Sequence, residues 1–153
     1  MPSHKSLVIL MADDDADDRE MTRDAFEASR LANDLRFVVD GVELMDYLHQ
    51  RGKYADPSMA PRPGFILLDL NMPKKDGREA LAEIKGDARL TDIPVIVLTT
   101  SKEEEDINKS YLLHANSYIT KPVTFDALVD VVTGLGRYWL EIVELPNGRK
   151  RIA

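Results

Sequence analysis

Short apolar runs without alternating polar residues mark three positions along the chain. They occupy residues 7–11, 65–68 and 95–98. A strand of a covered parallel sheet is buried on both faces, so its sequence is apolar throughout. These runs therefore predict buried parallel strands, and weaker strand candidates lie at residues 35–39 and 118–120.

Helical patterns fill the intervals between these strands. The predicted helices cover residues 16–31, 42–50, 76–87 and 103–113, and a last one starts at Phe125. Strand and helix thus alternate five times, which is typical of an α/β domain with right-handed crossovers. We predict a doubly wound five-stranded parallel sheet with the strand order 2-1-3-4-5.

Two segments add to this plan. Residues 51–64 contain three prolines and two glycines, which predicts a long structured loop before the third strand. Gly134 and Gly136 each disfavour a helix by about 1 kcal/mol, so we expect the last helix to break near Gly136. The domain then spans residues 1–136, and residues 137–153 form a C-terminal extension.

The extension has more apolar surface than a short segment can bury from solvent by itself. Its apolar side chains include Trp139, Ile142 and Val143. Exposed apolar patches of this kind usually meet a partner. We therefore expect residues 137–153 to be a dimerisation arm that makes the protein a homodimer. The alternative is that this segment folds back onto its own domain.

Composition narrows the classes of function. The 153 residues carry a net charge of −7 and no cysteine. The negative charge argues against a nucleic-acid partner, because neutralising phosphates takes a basic face. The lack of cysteine excludes a disulfide framework and a thiolate zinc site. The apolar runs are too short for a signal peptide or a membrane span, so we expect a cytoplasmic protein without a membrane partner.

Acidic residues collect where the predicted strands end. Asp13 and Asp14 follow the first strand, and Asp69 follows the third. In the predicted strand order these two ends meet at the point where the order reverses, which is where such sheets bind ligands. Carboxylates close together repel one another unless a cation lies between them. A site made only of oxygen ligands fits Mg²⁺.

Each aspartate also has a simpler structural interpretation. Asp15 and Asp17 precede or begin a helix, where capping alone is a sufficient role. Asp69 can be a turn former. The other strand ends weigh against the simple interpretation of Asp69, because Thr99 brings a hydroxyl and Lys121 an ammonium to the same edge of the sheet. Carboxylates, a hydroxyl and an ammonium are the parts needed to hold a phosphoryl group on an aspartate.

In these residues the chain resembles a known family. Residues 12–15 and 69–73, together with Thr99 and residues 121–122, are similar in order and spacing to the receiver domain of two-component response regulators. The resemblance covers about residues 6–136 and implies the flavodoxin-like receiver fold. It also implies that Asp69 is the phosphoacceptor. The Mg²⁺ ligands that it implies are Asp13, Asp14, Asp69 and the main-chain carbonyl of Asn71.

The resemblance implies further roles at the ends of the last two strands. Thr99 and Tyr118 match the family's switch pair, in which the aromatic side chain follows the position of the hydroxyl. Lys121 matches the lysine that pairs with the phosphate. The catalytic set is then Asp69, Lys121 and Thr99. The bond between Lys121 and Pro122 is expected to be cis, as in such domains.

A narrower subgroup resembles the chain in its loop and its extension. These are small single-domain regulators paired with phytochrome-type sensor histidine kinases, and a generic insertion with a packed terminal segment is the alternative. We expect a single-domain response regulator that takes a phosphoryl group from such a kinase onto Asp69. It signals through a changed protein–protein surface. We expect no enzyme activity beyond its own phosphorylation and dephosphorylation.

Other classes that use a similar sheet fit the residues less well. A haloacid-dehalogenase-like phosphatase with an aspartyl nucleophile needs a second aspartate two residues later, where this chain has Asn71. A flavodoxin-like flavin carrier needs a loop after the first strand that donates hydrogen bonds to phosphate. Residues 13–15 are three aspartates, which would repel a phosphate there.

Overall fold

The computed structural model describes residues 7–30, 33–99, 115 and 117–138. The helix predicted at residues 103–113 and the extension from residue 139 onward lie outside these described residues.

A parallel sheet of five strands forms the centre of the described chain. Its order is β2-β1-β3-β4-β5, as the sequence predicts. Each of the three apolar runs lies in a strand, and every residue of β3 is buried. The strands are β1 (Leu7–Ala12), β2 (Asn33–Val38), β3 (Phe65–Asp69), β4 (Val95–Thr99) and β5 (Ser117–Thr120).

Aspartate side chains cap helices that follow strands in the chain. Asp15 Oδ1 accepts hydrogen bonds from the N–H groups of Asp17 and Asp18, so the capping interpretation of Asp15 is confirmed. Asp40 and Asp76 cap the next two helices in the same way. The helices are α1 (Ala16–Ser29), α2 (Gly41–His49), α3 (Gly77–Gly86) and α4 (Phe125–Tyr138). Among the described helices, none is both long and apolar enough to cross a membrane.

Two compact units make up the described chain. The first contains the strands, α2, α3 and the first turn of α1, and the second contains the rest of α1 and α4. In the second unit Ala25, Phe26 and Val132 are buried. The apolar core of the first unit includes Leu10, Leu44, Met45, Ile66, Leu68, Leu81, Ile84 and Val97.

Helix α4 does not break where the sequence predicts. It continues through Gly134 and Gly136 to Tyr138, two residues beyond the predicted break, and the residues that follow lie outside the described part of the structure. Val132 and Gly136, four residues apart and hence on one face of the helix, are both buried. The free energy gained by burying that face outweighs the helix cost of about 1 kcal/mol at each glycine.

The predicted long loop at residues 51–64 is present and is fastened to α2. It contains two short 3-10 turns, Gly52–Tyr54 and Pro57–Met59. Tyr47 of α2 donates a hydrogen bond to the carbonyl of Pro61 at 2.7 Å, and the Tyr47 and Tyr54 rings meet edge to face.

A single carboxylate of α2, that of Glu43, holds both the loop and the turn after β2. It accepts hydrogen bonds from the Tyr54 hydroxyl at 2.7 Å and from the Val39 N–H at 2.8 Å, and Lys53 Nζ lies 2.7 Å away. Burial alone raises the pKa of Glu43, but the hydrogen bonds from Lys53, Tyr54 and Val39 hold it below its usual range. Glu43 therefore links this loop to α2, in addition to the contacts of Tyr47.

Gly77 sets the distance between the start of α3 and the end of β3. A Cβ atom at this position would lie 2.4 Å from the carbonyl oxygen of Asp69 and 2.6 Å from Cα of Leu70. The Gly77 N–H donates a hydrogen bond to the Leu70 carbonyl at 2.8 Å. Only glycine fits this approach, which fixes the loop that follows Asp69.

We expect Gly77→Ala to destabilise the fold by about 1–3 kcal/mol, because the new methyl group must push α3 away from the end of β3. Urea unfolding followed by circular dichroism measures this change. Gly86→Ala is the matched control: a Cβ there meets nothing within 4 Å, so helix propensity should leave the protein unchanged or up to about 1 kcal/mol more stable. Equal effects of the two substitutions would contradict the steric argument.

Candidate functional site

Neighbouring strands bring three aspartates together at the carboxyl edge of the sheet. Asp13 follows β1 and Asp69 ends β3, and these strands are paired. The side chains of Asp13 and Asp69 are buried, whereas Asp14 is exposed. One oxygen from each of the three carboxylates lies within 4.8 Å of the others. The structure thus places these three predicted site residues in one cluster.

Lys121, which follows β5, reaches into this cluster. Its Nζ lies 3.0 Å from Oδ2 of Asp13 and 3.2 Å from Oδ2 of Asp69. A third acceptor is Oδ2 of Asp18 in the first turn of α1, at 2.9 Å. An ammonium group has three protons to donate, so these three carboxylates match its hydrogen-bonding capacity.

The expected cis bond before Pro122 is not found. The described residues contain no cis peptide bond, so the bond between Lys121 and Pro122 is trans in this structure. The long side chain of Lys121 nevertheless brings its ammonium to both buried carboxylates. The expected position of the ammonium is therefore reached without the cis bond.

Backbone N–H groups donate hydrogen bonds to Oδ1 of each buried carboxylate, the oxygen that does not contact Lys121. The N–H of Asp15 donates to Oδ1 of Asp13 at 2.9 Å, and the N–H of Asn71 donates to Oδ1 of Asp69 at 3.0 Å. Asp69 is therefore a turn former, as in its simpler interpretation, and at the same time a partner of Lys121. Because Oδ1 is held by the local turn, Oδ2 of each carboxylate points towards the ammonium.

Burial dominates the electrostatics of the cluster. It raises the pKa of Asp69 to about 6, against the lowering effects of the Asn71 N–H and the Lys121 charge. It also raises the pKa of Asp13. Burial opposes the charge of Lys121, but the hydrogen bond to Asp18 and the charges of Asp69 and Asp13 still raise its pKa. Lys121 is therefore charged, and the four nearby carboxylates outnumber it.

A divalent cation fits the oxygen atoms of this cluster. Carboxylates are hard ligands, and the excess of negative charge favours a cation. Two ligands on opposite sides of Mg²⁺ lie about 4.2 Å apart, so a spread of 4.8 Å needs only a small closing movement. Asp13, Asp14 and Asp69 can therefore hold a divalent ion.

The remaining predicted site residues lie on strands of the same sheet or shortly after one. Thr99 ends β4 and pairs with Thr120 of β5, while the position of its side chain lies outside the described part of the structure. Tyr118 lies on β5 and is 48% exposed. Asn71 lies two residues after Asp69, at the turn that its own N–H helps to form.

Asp18 is the member of the cluster that the sequence reasoning missed. The sequence analysis gives it no role in the site. A signal was present, however, because side chains on a helix lean towards its N-terminus. Asp18 lies in the first turn of α1, so its side chain leans back towards the turn that carries Asp13 and Asp14. That direction predicts a fourth carboxylate beside the strand ends.

Comparison with known proteins places the chain in a family. Residues 9–133 match the response regulator receiver domain. The chain belongs to this family. Response regulator Rcp1 of Synechocystis sp. is 44% identical to the chain over 144 residues, which cover 94% of this chain and 96% of that protein.

Solved structures of response regulators have the same fold. The phosphorylated cyanobacterial phytochrome response regulator RcpA superimposes with a TM-score of 0.78 and 46% identity, over 89% of this chain and 95% of that one. The Mn²⁺-bound form of Rcp1 gives a TM-score of 0.77 and 45% identity, over 92% of this chain and 99% of that one. The predicted flavodoxin-like receiver fold is confirmed, and the phosphatase alternative finds no support.

We expect Asp69→Asn to stabilise this response regulator in metal-free buffer near pH 7.5. In the unfolded chain an aspartate ionises near pH 4, but in the folded protein Asp69 ionises near pH 6. The ionised carboxylate therefore costs the folded state on the order of 1–3 kcal/mol above pH 6. This cost disappears as the pH falls from 6 to 4.

Urea unfolding at several pH values, with a chelator present, measures this effect. The gain in the free energy of unfolding should be full at pH 7.5 and absent at pH 4. Asp130→Asn, on the exposed side of α4, is the control and should change stability by less than about 0.5 kcal/mol. Two results would show that burial of the Asp69 carboxylate is not the cause. One is a lower free energy of unfolding for Asp69→Asn at pH 7.5, and the other is a gain in that free energy that is the same at every pH.

Proposed function

We propose that this response regulator accepts a phosphoryl group on Asp69 from a phosphohistidine of a sensor histidine kinase. The observation that carries the proposal is the position of Lys121, whose Nζ lies 3.2 Å from a buried carboxylate oxygen of Asp69. We propose Mg²⁺ as the ion of the site. Its ligands would be Asp13, Asp14, Asp69 and the main-chain carbonyl of Asn71.

In the proposed reaction one bond forms and one bond breaks, and the other groups of the protein position and neutralise the phosphoryl group. One carboxylate oxygen of Asp69 forms a bond to phosphorus while the P–N bond of the phosphohistidine breaks, and the imidazole nitrogen keeps the electron pair. The charge of Lys121 neutralises the phosphoryl oxygens beside Asp69. Mg²⁺, when bound, supplies further positive charge next to the same oxygens. We propose that catalysis by this chain is limited to its own phosphorylation and dephosphorylation.

Burial distinguishes Asp69 from Asp13 as the acceptor. The Asp13 side chain is fully buried, at 0% exposure, whereas the Asp69 side chain keeps 7%. Asp69 therefore retains a path by which a donor phosphorus can reach it. The anionic carboxylate is the form that can attack phosphorus, and the charge of Lys121 beside Asp69 favours that form.

The proposed output is a change of the protein surface near Tyr118. We assign Thr99 and Tyr118 as the switch pair on the resemblance to receiver domains. Tyr118 is 48% exposed on β5, so any movement of its ring alters the surface that a partner meets. The partner we propose is a protein rather than a nucleic acid, because the chain carries a net charge of −7.

We propose a phytochrome-type sensor histidine kinase as the phosphoryl donor. The support is the 46% identity to RcpA, a cyanobacterial phytochrome response regulator, over 89% of this chain. A cytoplasmic location fits this partnership and a chain without cysteine. We retain the homodimer as a proposal that rests on the apolar sequence of residues 137–153.

We expect Asp69→Asn to accept no phosphoryl group, because an amide oxygen is too weak a nucleophile. The experiment incubates the protein and Mg²⁺ with a panel of purified, radiolabelled phosphohistidine kinases, phytochrome-type kinases among them. Asp130→Asn, an equivalent carboxylate-to-amide change on the exposed side of α4, should label normally. The label on the unchanged protein should be released by hydroxylamine, as an acyl phosphate is. Stoichiometric labelling of Asp69→Asn would overturn the assignment.

We expect removal of the chain after Tyr138 to convert a dimer into a monomer, because the apolar side chains beyond that residue would form the contact. The cut keeps all of α4, which ends at Tyr138. Sedimentation velocity of the full and shortened proteins measures the change. A monomer in both cases would exclude the dimer, and a dimer in both cases would exclude this segment as its cause.

A further inference from the structure

Asp18 stands apart from the other carboxylates that contact Lys121. It makes the shortest of the three contacts, at 2.9 Å, and its side chain is 33% exposed. Asp13 and Asp69 are buried and belong to the group of carboxylates that can hold a divalent ion, whereas Asp18 does not. Its carboxylate thus faces the lysine without being part of the ion site.

Lys121 and a divalent ion would both draw on the carboxylates of Asp13 and Asp69. The ammonium contacts Oδ2 of Asp13 and Oδ2 of Asp69. The other oxygen of each carboxylate accepts a hydrogen bond from a backbone N–H. An ion that draws on the Oδ2 atoms therefore weakens two of the three contacts of Lys121, and the two positive groups repel each other.

We propose that Asp18 is a positioning residue that keeps the ammonium of Lys121 paired when a divalent ion takes Asp13 and Asp69, and that it thereby strengthens binding of the ion. The inference rests on the proposed function for the importance of the ion. It goes beyond that function, because it assigns a role to a carboxylate that is neither the phosphoacceptor nor an ion ligand.

The first turn of α1 holds Asp18 in a suitable place. The N–H of Asp18 donates to Oδ1 of Asp15 at 3.2 Å, and the N–H of Asp15 donates to Oδ1 of Asp13 at 2.9 Å. These hydrogen bonds tie Asp18 to the turn that carries Asp13. The N-terminus of a helix also favours an anion. Asp18 therefore stays close to Lys121 while the ion occupies the neighbouring oxygens.

A matched pair of substitutions separates this role from a general loss of charge. Asp18→Asn and Asp17→Asn each remove one negative charge from the first turn of α1, and Asp17 is exposed. Titration of Mg²⁺ into each purified protein, followed by amide NMR shifts, gives the dissociation constant. We expect Asp18→Asn to weaken Mg²⁺ binding by about fivefold and Asp17→Asn by less than about twofold. Equal weakening would overturn the proposal.

The same titration in a Lys121→Met background tests whether Asp18 acts through the lysine. Without the ammonium, Asp18→Asn should weaken Mg²⁺ binding no more than Asp17→Asn does. An unchanged excess effect of Asp18→Asn in that background would overturn the proposal. Circular dichroism checks the fold of each variant, and Asp18→Ser provides the same comparison if Asp18→Asn fails to fold.

A second measurement reports on the ammonium itself. In the Mg²⁺-loaded protein, the Nζ resonance of Lys121 should be protected from solvent exchange, and in loaded Asp18→Asn it should exchange freely. Equal protection in both proteins would contradict the role of Asp18. These measurements are independent of the labelling of Asp69. An intact binding pattern in a protein that is never phosphorylated would refute the proposed function and leave the role of Asp18 standing.

Discussion

The ammonium of Lys121 compensates for two carboxylates that the sheet forces into one buried corner. Asp13 follows β1 and Asp69 ends β3, and these strands are paired, so the two residues cannot separate without breaking the sheet. Burying ionised carboxylates costs several kcal/mol unless positive charge and hydrogen bonds accompany them. Lys121 supplies that charge from β5, but the pKa of Asp69 stays raised, so the compensation is incomplete. This remaining cost is the free energy that a divalent ion can relieve.

Aspartates have both structural and chemical roles along this edge of the sheet. Asp15, Asp40 and Asp76 each cap a helix with their side chains. Asp13 and Asp69 use one oxygen in the same way, for a backbone N–H, and direct the other to Lys121. What separates the two groups is that the Oδ2 atoms of Asp13 and Asp69 meet at one shared ammonium, that of Lys121. The chemical role is therefore added to a turn-forming role rather than replacing it.

Much of the fold and part of the site can be predicted from the sequence, for identifiable reasons. The apolar runs predict the strands because burial on both faces leaves no room for polar residues. Asp13 and Asp69 follow from those strands, because parallel strands end at one edge. The direction of helical side chains places Asp18 near the strand ends, but its contact with Lys121 joins residues 103 positions apart, and a pattern along the chain does not encode that pairing. The continuation of α4 through Gly136 is not predicted, because helix propensity is a local property of the sequence. The burial of Gly136, which outweighs that propensity, depends on the tertiary fold.

Glu43 has a consequence for how this protein opens and closes locally. One carboxylate accepts from the Val39 N–H, beside the site edge, and from the Tyr54 hydroxyl, in the loop before β3. Losing that carboxylate, or protonating it, weakens both contacts at once. We therefore expect the turn after β2 and the loop at residues 51–64 to lose these hydrogen bonds together when the carboxylate is lost, although 15 residues separate Val39 from Tyr54 in the sequence.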